Sequence, residues 1–198
     1  MKMMIYDEIA SKVKDVLPKK RYNHSLGVAY MASSIAMKYG EDYERAQIAG
    51  VLHDCAKYLD DEKMISECKK YGIEISEAES ENPQLLHAKV GAYYAEHIYG
   101  VSDEEILSAI RCHTTGKPDM TFLEKCLFVA DYIEIHRTQP SVPPLDEIRK
   151  IAFTDLDMAV YLELVNVVGY VKGQEGQTLD ENSVKTLEYY EKLIKSRN

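Results

Sequence analysis

The sequence lacks the long apolar runs and the cysteine pairs on which membrane-bound and secreted proteins depend. No apolar stretch approaches the ~20 residues of a membrane-spanning helix. The first residues contain no apolar segment typical of a secretion signal. The four cysteines include no C-x-x-C pair. We therefore expect a cytoplasmic protein with reduced thiols that neither spans a membrane nor is anchored to one.

Positive charge is also scarce. The chain has 24 Lys and Arg against 33 Asp and Glu, which gives a formal net charge of -9. Such a surface repels nucleic acids and anionic membranes, so we expect neither as a partner. The acidic charge does not exclude a small anionic substrate, because a bound metal ion can invert the local potential inside a cleft.

The length and composition are those of an ordinary globular protein. With 45% hydrophobic residues in 198, the chain is long enough to bury one large core, and we expect a single domain. Strand-like alternation is nearly absent apart from residues 73–75, whereas apolar residues at helical spacing recur. The sequence therefore predicts an all-α fold. We expect one helical bundle over residues 1–198, with a core at about 20–137 completed by C-terminal helices at 145–196.

Helix boundaries are indicated by capping residues. Asp42 is a predicted N-cap, and either Asp60 or Asp61 begins the next helix. The sequences at 102–105 and 121–124 each match a capping box. Two segments read as connectors: the acidic stretch 73–83, expected to be solvated, and 136–144, which contains three prolines.

His53 and Asp54 are adjacent within an otherwise apolar run that the pattern predicts to be helical. Two stripes follow from helical spacing, one formed by Ile48, Leu52, Cys55 and Leu59, the other by Ala46, Gly50, His53 and Lys57. An ionised carboxylate in a core is costly unless it is paired or binds a metal, and histidine is the commonest metal ligand. A metal site is the simplest interpretation of this pair.

Four further residues place imidazole or carboxylate groups on inward-facing helical stripes: His24, His87, His113 and Asp131. One histidine on an apolar face is more often a hydrogen-bonded core residue than a ligand. Several such groups on separate helices of a bundle are harder to explain in that way, because each would need its own buried partner. Mixed imidazole and carboxylate ligands suit iron, manganese, cobalt or zinc rather than calcium.

The ordered set of motifs resembles the HD-domain metal-dependent phosphohydrolases, and more closely the YqeK family within them. The matching segments are RYNHS at 21–25, LHDCAK at 52–57, HA at 87–88, HTTG at 113–116 and ADYIE at 130–134, followed by Arg137. The resemblance covers the chain from about residue 20 to the last helix. The YqeK family hydrolyses diadenosine tetraphosphate symmetrically into two ADP, and a similar activity is what the resemblance implies here.

The resemblance also implies roles for individual residues. It implies iron held by His24, His53, Asp54 and Asp131, with a nucleotide bound by Lys57, His87, His113, Thr114 and Arg137. A bound metal lowers the pKa of coordinated water from 15.7 toward ~7, so that water can attack an inner phosphate. Asp54 would orient this water and Lys57 would neutralise growing phosphate charge. The chain departs from the family at Ile135, where proline is usual, which leaves the position of Arg137 for the structure to decide.

Some alternatives stay open at the level of sequence. His87 and His113 could complete a second metal site instead of contacting phosphate, and Lys57 could be a surface lysine. Other HD-type activities are a nucleotide phosphatase or a phosphodiesterase of different specificity. A catalytically silent nucleotide-sensing module that keeps its metal is the alternative outside enzymes. The oligomeric state is not predicted.

Overall fold

The prediction of an all-α fold is confirmed by the computed structural model, which describes residues 6–174 and 178–197. Within those residues there is no β-strand. The helices are α1 (Tyr6–Val16), α2 (Lys19–Tyr39), α3 (Tyr43–Leu52), α4 (Asp61–Tyr71), α5 (Glu77–Glu81), α6 (His87–His97), α7 (Glu104–Cys112), α8 (Phe122–Ile133), α9 (Leu145–Ala152), α10 (Leu156–Lys172) and α11 (Glu181–Lys195). A 3-10 turn, Pro83–Leu86, precedes α6.

The centre of the bundle is formed by α2, α3, α7 and α8. Helix α2 packs along α3 and α8, and α7 lies against α3, α6 and α8. Helix α10 covers α8 from the other side and carries α9 and α11. This arrangement brings the ends of α2, α3 and α8 close together around one buried region. None of the described helices has the length and apolar character needed to cross a membrane.

Local signals place most helix ends where the sequence predicts them. Asp42 and Asp60 are N-caps whose side chains accept main-chain N–H groups, and Thr121 forms the expected capping box with Glu124. The predicted capping box at 102–105 is wrong, because the N-cap is Asp103, whose carboxylate accepts from the N–H groups of Glu105 and Ile106. A carboxylate at this position also interacts favourably with the helix dipole.

The acidic connector is more ordered than the sequence indicates. Ser76 and Glu79 form a capping box that begins the short helix α5. The carboxylate of Glu79 is buried, and Lys89 donates to it at 2.7 Å. The expectation of a fully solvated segment at 73–83 is therefore wrong, because a lysine from α6 provides the partner that makes burial of the acid possible.

Gly50 permits a close contact between α2 and α3. A Cβ atom added there would lie 2.5 Å from the Cα and 2.8 Å from the N of Ala29, and main-chain atoms cannot rotate away. We expect Gly50→Ala to lower the free energy of unfolding by about 1–3 kcal/mol or more, because α2 and α3 must separate. Urea denaturation in the presence of a chelator measures this without a contribution from bound metal.

The matched control is Gly169→Ala in α10. Nothing lies within 4 Å of a Cβ atom at Gly169. Alanine is the better helix former, so this variant is expected to gain about 0.5–1 kcal/mol. Equal effects of the two substitutions would contradict the role assigned to Gly50.

Candidate metal and nucleotide site

His53 and Asp54 lie just beyond the end of α3, and the prediction that they continue a helix is wrong. The helix ends at Leu52, and residues 53–58 form consecutive turns. The N–H of Cys55 donates to the carbonyl of Leu52, and that of Lys57 to Asp54, each at 2.9 Å. These three-residue hydrogen bonds wind the chain more tightly than an α-helix. In this conformation the Nε2 atom of His53 lies 3.5 Å from Oδ2 of Asp54.

The four predicted metal ligands converge at the ends of three helices. His24 lies on α2, Asp131 on α8, and the His53–Asp54 pair follows α3. Nε2 of His24 is 3.0 Å from Oδ1 of Asp131 and 3.9 Å from Oδ2 of Asp54. Nε2 of His53 is 3.8 Å from the same Asp131 oxygen. Ligand atoms at these separations can reach a single cation.

Both imidazoles present an unpaired nitrogen to this cluster. The Nε2 atoms of His24 and His53 are buried, and neither has a hydrogen-bond partner among the described residues. Nδ1 of His53 lies 2.7 Å from the carbonyl of Gly50, so Nδ1 carries the hydrogen and donates it. Nδ1 of His24 lies 3.2 Å from a carboxylate oxygen of Glu134. Each ring thus directs a lone pair inward, as a metal ligand requires.

The electrostatics of the cluster favour positive charge at its centre. Burial alone raises the pKa of Asp54, but the neighbouring imidazoles of His53 and His87 outweigh burial and hold this pKa well below its usual range. For Asp131, His24, His53 and Arg137 likewise overcome burial and lower the pKa. Both carboxyl groups are therefore ionised near neutral pH. The residues fit a divalent cation, because two carboxylates and two unpaired imidazole nitrogens surround the same point.

His87 and His113 lie on the opposite side of Asp54. Nε2 of His87 is 3.1 Å from Oδ1 of Asp54 and 3.1 Å from Nε2 of His113. Nδ1 of His113 lies 2.7 Å from the carbonyl of Ile110 and donates to it, which leaves its Nε2 as an acceptor. Burial and the neighbouring His87 and His53 lower the pKa of His113 to about 3. His113 is thus neutral at pH 7 and unsuited to donate a proton.

Lys57 is half-buried and directed into the site rather than into solvent. Its ammonium group lies 2.9 Å from Nδ1 of His87 and donates to the carbonyl of Gln84 at 3.3 Å. If Lys57 donates to Nδ1, the hydrogen of His87 is on Nε2, facing Asp54 and His113. This tautomer makes His87 a donor in a chain from Lys57 to Asp54. The other tautomer, with Nδ1–H donated to Gln84, would free Nε2 for a metal.

The geometry also allows for a second ion. His53, Asp54 and His113 form a second group whose ligand atoms lie within 4.8 Å of one another. The alternative of a second metal ion therefore stays open on geometry.

A large cavity opens directly onto the cluster. Its volume is about 850 Å³, and it is lined by Pro18, Lys20, Arg21, Asn23, His24, Lys57, Glu134, His136, Arg137, Thr138 and Gln139. Positively charged side chains are concentrated in its wall, in a protein that is acidic as a whole. Of the residues predicted to bind a nucleotide, Lys57 and Arg137 line this cavity. His87, His113 and Thr114 are not part of the described wall, and their contact with substrate stays a prediction.

Two arginines connect the cavity to the carboxylates. Arg21 donates to Asp54 at 2.7 Å, and Arg137 donates to Asp131 at 2.6 Å. Both guanidinium groups are partly exposed to the cavity, with side-chain exposures of 37% and 39%. Arg137 therefore reaches the site even though Ile135 replaces the usual proline. Each carboxylate has a guanidinium group between it and the space where an anionic substrate would lie.

Sequence reasoning assigned no role to Arg21 or Glu134. Arg21 is the last residue of a basic trio and lies three residues before His24, and Glu134 lies three residues after Asp131. The carboxylate of Glu134 is buried against His24, and Gly27 leaves room for it, since a Cβ atom there would lie 2.5 Å from Oε2. Their spacing from the predicted ligands and their places in the motif segments 21–25 and 130–134 were the signals available. A carboxylate that orients a metal-binding imidazole is a common outer partner in such sites.

Comparison with known proteins gives a consistent result. The HD domain family model matches residues 21–135. A symmetrical bis(5'-nucleosyl)-tetraphosphatase of Bacillus subtilis is 42% identical over 83% of this chain and 87% of its own. One from Staphylococcus aureus is 41% identical over 89% and 90%. A crystal structure of a predicted HD superfamily hydrolase involved in NAD metabolism, from Clostridium acetobutylicum, matches over all of both chains with a TM-score of 0.90 and 40% identity.

HD domains bind divalent metals through clusters of the kind described above, and the match to whole relatives extends well beyond the domain model. The resemblance predicted from the motifs is thereby confirmed. The chain belongs to the HD-domain family and, within it, to the YqeK group of symmetrical bis(5'-nucleosyl)-tetraphosphatases.

Proposed function

We propose that this protein hydrolyses dinucleoside tetraphosphates, diadenosine tetraphosphate in particular, symmetrically into two nucleoside diphosphates. The observation that carries the proposal is the cavity of about 850 Å³ whose cationic wall opens onto the buried His–Asp cluster. A polyphosphate chain needs positive charge along its length, and the wall provides it through Arg21, Lys57 and Arg137. The tetraphosphatase activity named for the relatives at about 40% identity supports the same substrate class.

We further propose that His24, His53, Asp54 and Asp131 hold a transition metal, with iron as the first candidate and manganese, cobalt or zinc as alternatives. Two imidazole nitrogens and two carboxylates form a donor set that suits these ions. When bound, such an ion supplies Lewis acidity, which acidifies water and withdraws electron density from a phosphoryl oxygen.

The four buried cysteines are unpaired thiols, which fits the cytoplasmic location expected from the sequence.

The cationic residues bind and orient the phosphate chain. Arg137 and Arg21 can grip phosphate oxygens with two hydrogen bonds each, because a guanidinium group presents donors in a planar fork. Their pairing with Asp131 and Asp54 fixes the fork at the mouth of the cluster. A phosphate held there would lie next to Asp54 and Asp131, and the two guanidinium groups would reduce the repulsion between the phosphate and these carboxylates. The closeness of the reacting groups accounts for part of the rate enhancement.

Protons would move along the chain of residues that starts at Lys57. Asp54 accepts from His87 at Oδ1 and is placed to orient an attacking water. Lys57 can pass a proton to Nδ1 of His87 while Nε2 of His87 gives its hydrogen to the oxygen of a departing ADP, so His87 is neutral before and after the step. Attack at an inner phosphorus expels ADP, whereas attack nearer a nucleoside would expel a longer polyphosphate of higher charge. Symmetrical cleavage is therefore the easier course.

Product analysis tests the proposal. Diadenosine tetraphosphate is expected to give ADP as the only nucleotide product, and hydrolysis in oxygen-18 water should label one ADP of each pair at its terminal phosphate. Asp54→Asn serves as the blank for contaminating hydrolases. Equal amounts of ATP and AMP would contradict symmetrical cleavage. Brisk release of phosphate from AMP with no consumption of the dinucleotide would favour the monophosphatase alternative, and binding without turnover would favour the sensing module.

A further inference from the structure

Arg149, in α9, reaches back across the proline-rich segment to the end of α8. Its Nε donates to the carbonyl of Ile133 at 2.9 Å. Its Nη2 donates to the carbonyls of Glu134 and Arg137, each at 3.0 Å. One side chain therefore binds three main-chain oxygens within five consecutive residues.

The segment held in this way carries part of the site. Asp131 lies in the last turn of α8, Glu134 contacts His24 just after it, and Arg137 lines the cavity. Carbonyl groups at the end of a helix have no donors further along the helix, and positive charge is favourable there. The following segment, 136–144, is irregular and contains three prolines. At its start the N–H of Arg137 donates to the carbonyl of Glu134 and the N–H of His136 to the Glu134 carboxylate, each at 2.9 Å, and the contacts of Arg149 add to these two bonds.

We propose that Arg149 is a positioning residue for Arg137. Arg149 contacts none of the side chains of the metal cluster and is not among the residues that line the cavity. By binding the carbonyls of Glu134 and Arg137, it fixes the main chain from which the Arg137 guanidinium reaches Asp131 and the phosphate-binding space. The identity of the ligand rests on the proposed function, whereas the coupling between the two arginines does not.

The geometry requires arginine at this position. The three carbonyls are served by donors on two different nitrogens of a rigid planar group, whereas lysine carries all its donors on one atom. The remaining contact of Arg149 is with an exposed carboxylate: Nη1 donates to Asp146 at 2.7 Å. The side chain of Asp146 is 83% exposed. Asp146→Asn thus removes an ion pair of Arg149 without touching the three carbonyls, and it is the matched control.

The test measures ADP affinity by calorimetry on the metal-loaded full chain, together with kcat and KM for diadenosine tetraphosphate. Arg149→Lys is expected to weaken ADP binding and raise KM by roughly ten- to a hundredfold, because Arg137 loses its fixed position, while kcat changes little. In an Arg137→Ala background the same substitution is expected to change ADP affinity by less than about twofold. Asp146→Asn should behave as the unsubstituted protein.

Equal losses of ADP affinity in both backgrounds would overturn the proposal, and so would a loss that Asp146→Asn reproduces. Amide hydrogen exchange separates a local from a global effect: faster exchange of Arg149→Lys confined to residues 134–139 supports positioning, and faster exchange throughout α8 to α10 contradicts it. If the unsubstituted protein bound ADP but did not cleave the dinucleotide, the proposed function would fail. The calorimetric comparison of the two backgrounds would still decide the role of Arg149.

Discussion

Asp54→Asn is expected to abolish both metal retention and hydrolysis. Asp54 is 3% exposed, and its carboxylate lies within 4 Å of His24, His53 and His87. The site therefore loses a central negative charge when Asp54 is substituted. Asparagine keeps the volume but removes one negative charge from the site. We expect metal below about a tenth of an equivalent and a loss of kcat/KM of about 10³-fold or more. Elemental analysis and the dinucleotide assay measure the two effects.

The control for this substitution is Asp146→Asn, an exposed carboxylate outside the cluster. Chelation should lower the thermal midpoint of the unsubstituted protein and of this control, but not that of Asp54→Asn, because only a bound metal couples to folding. An Asp54→Asn protein that retains a full equivalent of metal would contradict the four-ligand site.

The metal content of the unsubstituted protein decides between one ion and two. One equivalent per chain fits ligation by His24, His53, Asp54 and Asp131 alone. Two equivalents would show that the second group, which includes His113, also binds metal. His87 and His113 would then be better described as part of a two-metal site than as contacts to phosphate.

Lys57→Met is expected to lower kcat by about 10²-fold or more while metal content is unchanged, because it removes the donor to His87 and the charge beside the phosphate chain. Methionine keeps most of the aliphatic side chain, so local packing should be preserved. Lys63→Met is the matched control, since the side chain of Lys63 is 69% exposed. An equal effect at both positions would show that Lys57 contributes only to the general charge of the protein.

The pH profile gives a second measurement for the same residue. Burial lowers the pKa of Lys57 below the ordinary value of 10.5, and Asp54 offsets only part of this effect. If the protonated amine is needed, activity falls as the pH rises through this lowered pKa, so the alkaline limb lies below pH 10.5. Lys57→Arg should retain partial activity and lose this limb, because a guanidinium group keeps its proton. An unchanged alkaline limb in Lys57→Arg would assign the titration to another group.

The helices and the inward-facing positions of the four candidate ligands could be predicted from the sequence because their signals are local or periodic. Apolar spacing places His24 and Asp131 on inward stripes, and capping residues such as Asp42 and Thr121 mark helix starts through contacts three residues away. The same local reasoning failed at the end of α3, where the apolar pattern continues through residues 53–58 although the chain winds into turns. A buried segment has an apolar sequence whether it is helical or forms turns, so the pattern does not distinguish the two conformations.

The sequence by itself determined an all-α chain with a set of imidazole and carboxylate groups facing its core. Only the tertiary structure decided which groups meet. The contacts of Arg21 with Asp54, Glu134 with His24 and Arg149 with the end of α8 join residues 33, 110 and at least 12 positions apart. No local pattern encodes such pairs, because they depend on how helices pack and on which buried group is left needing a partner.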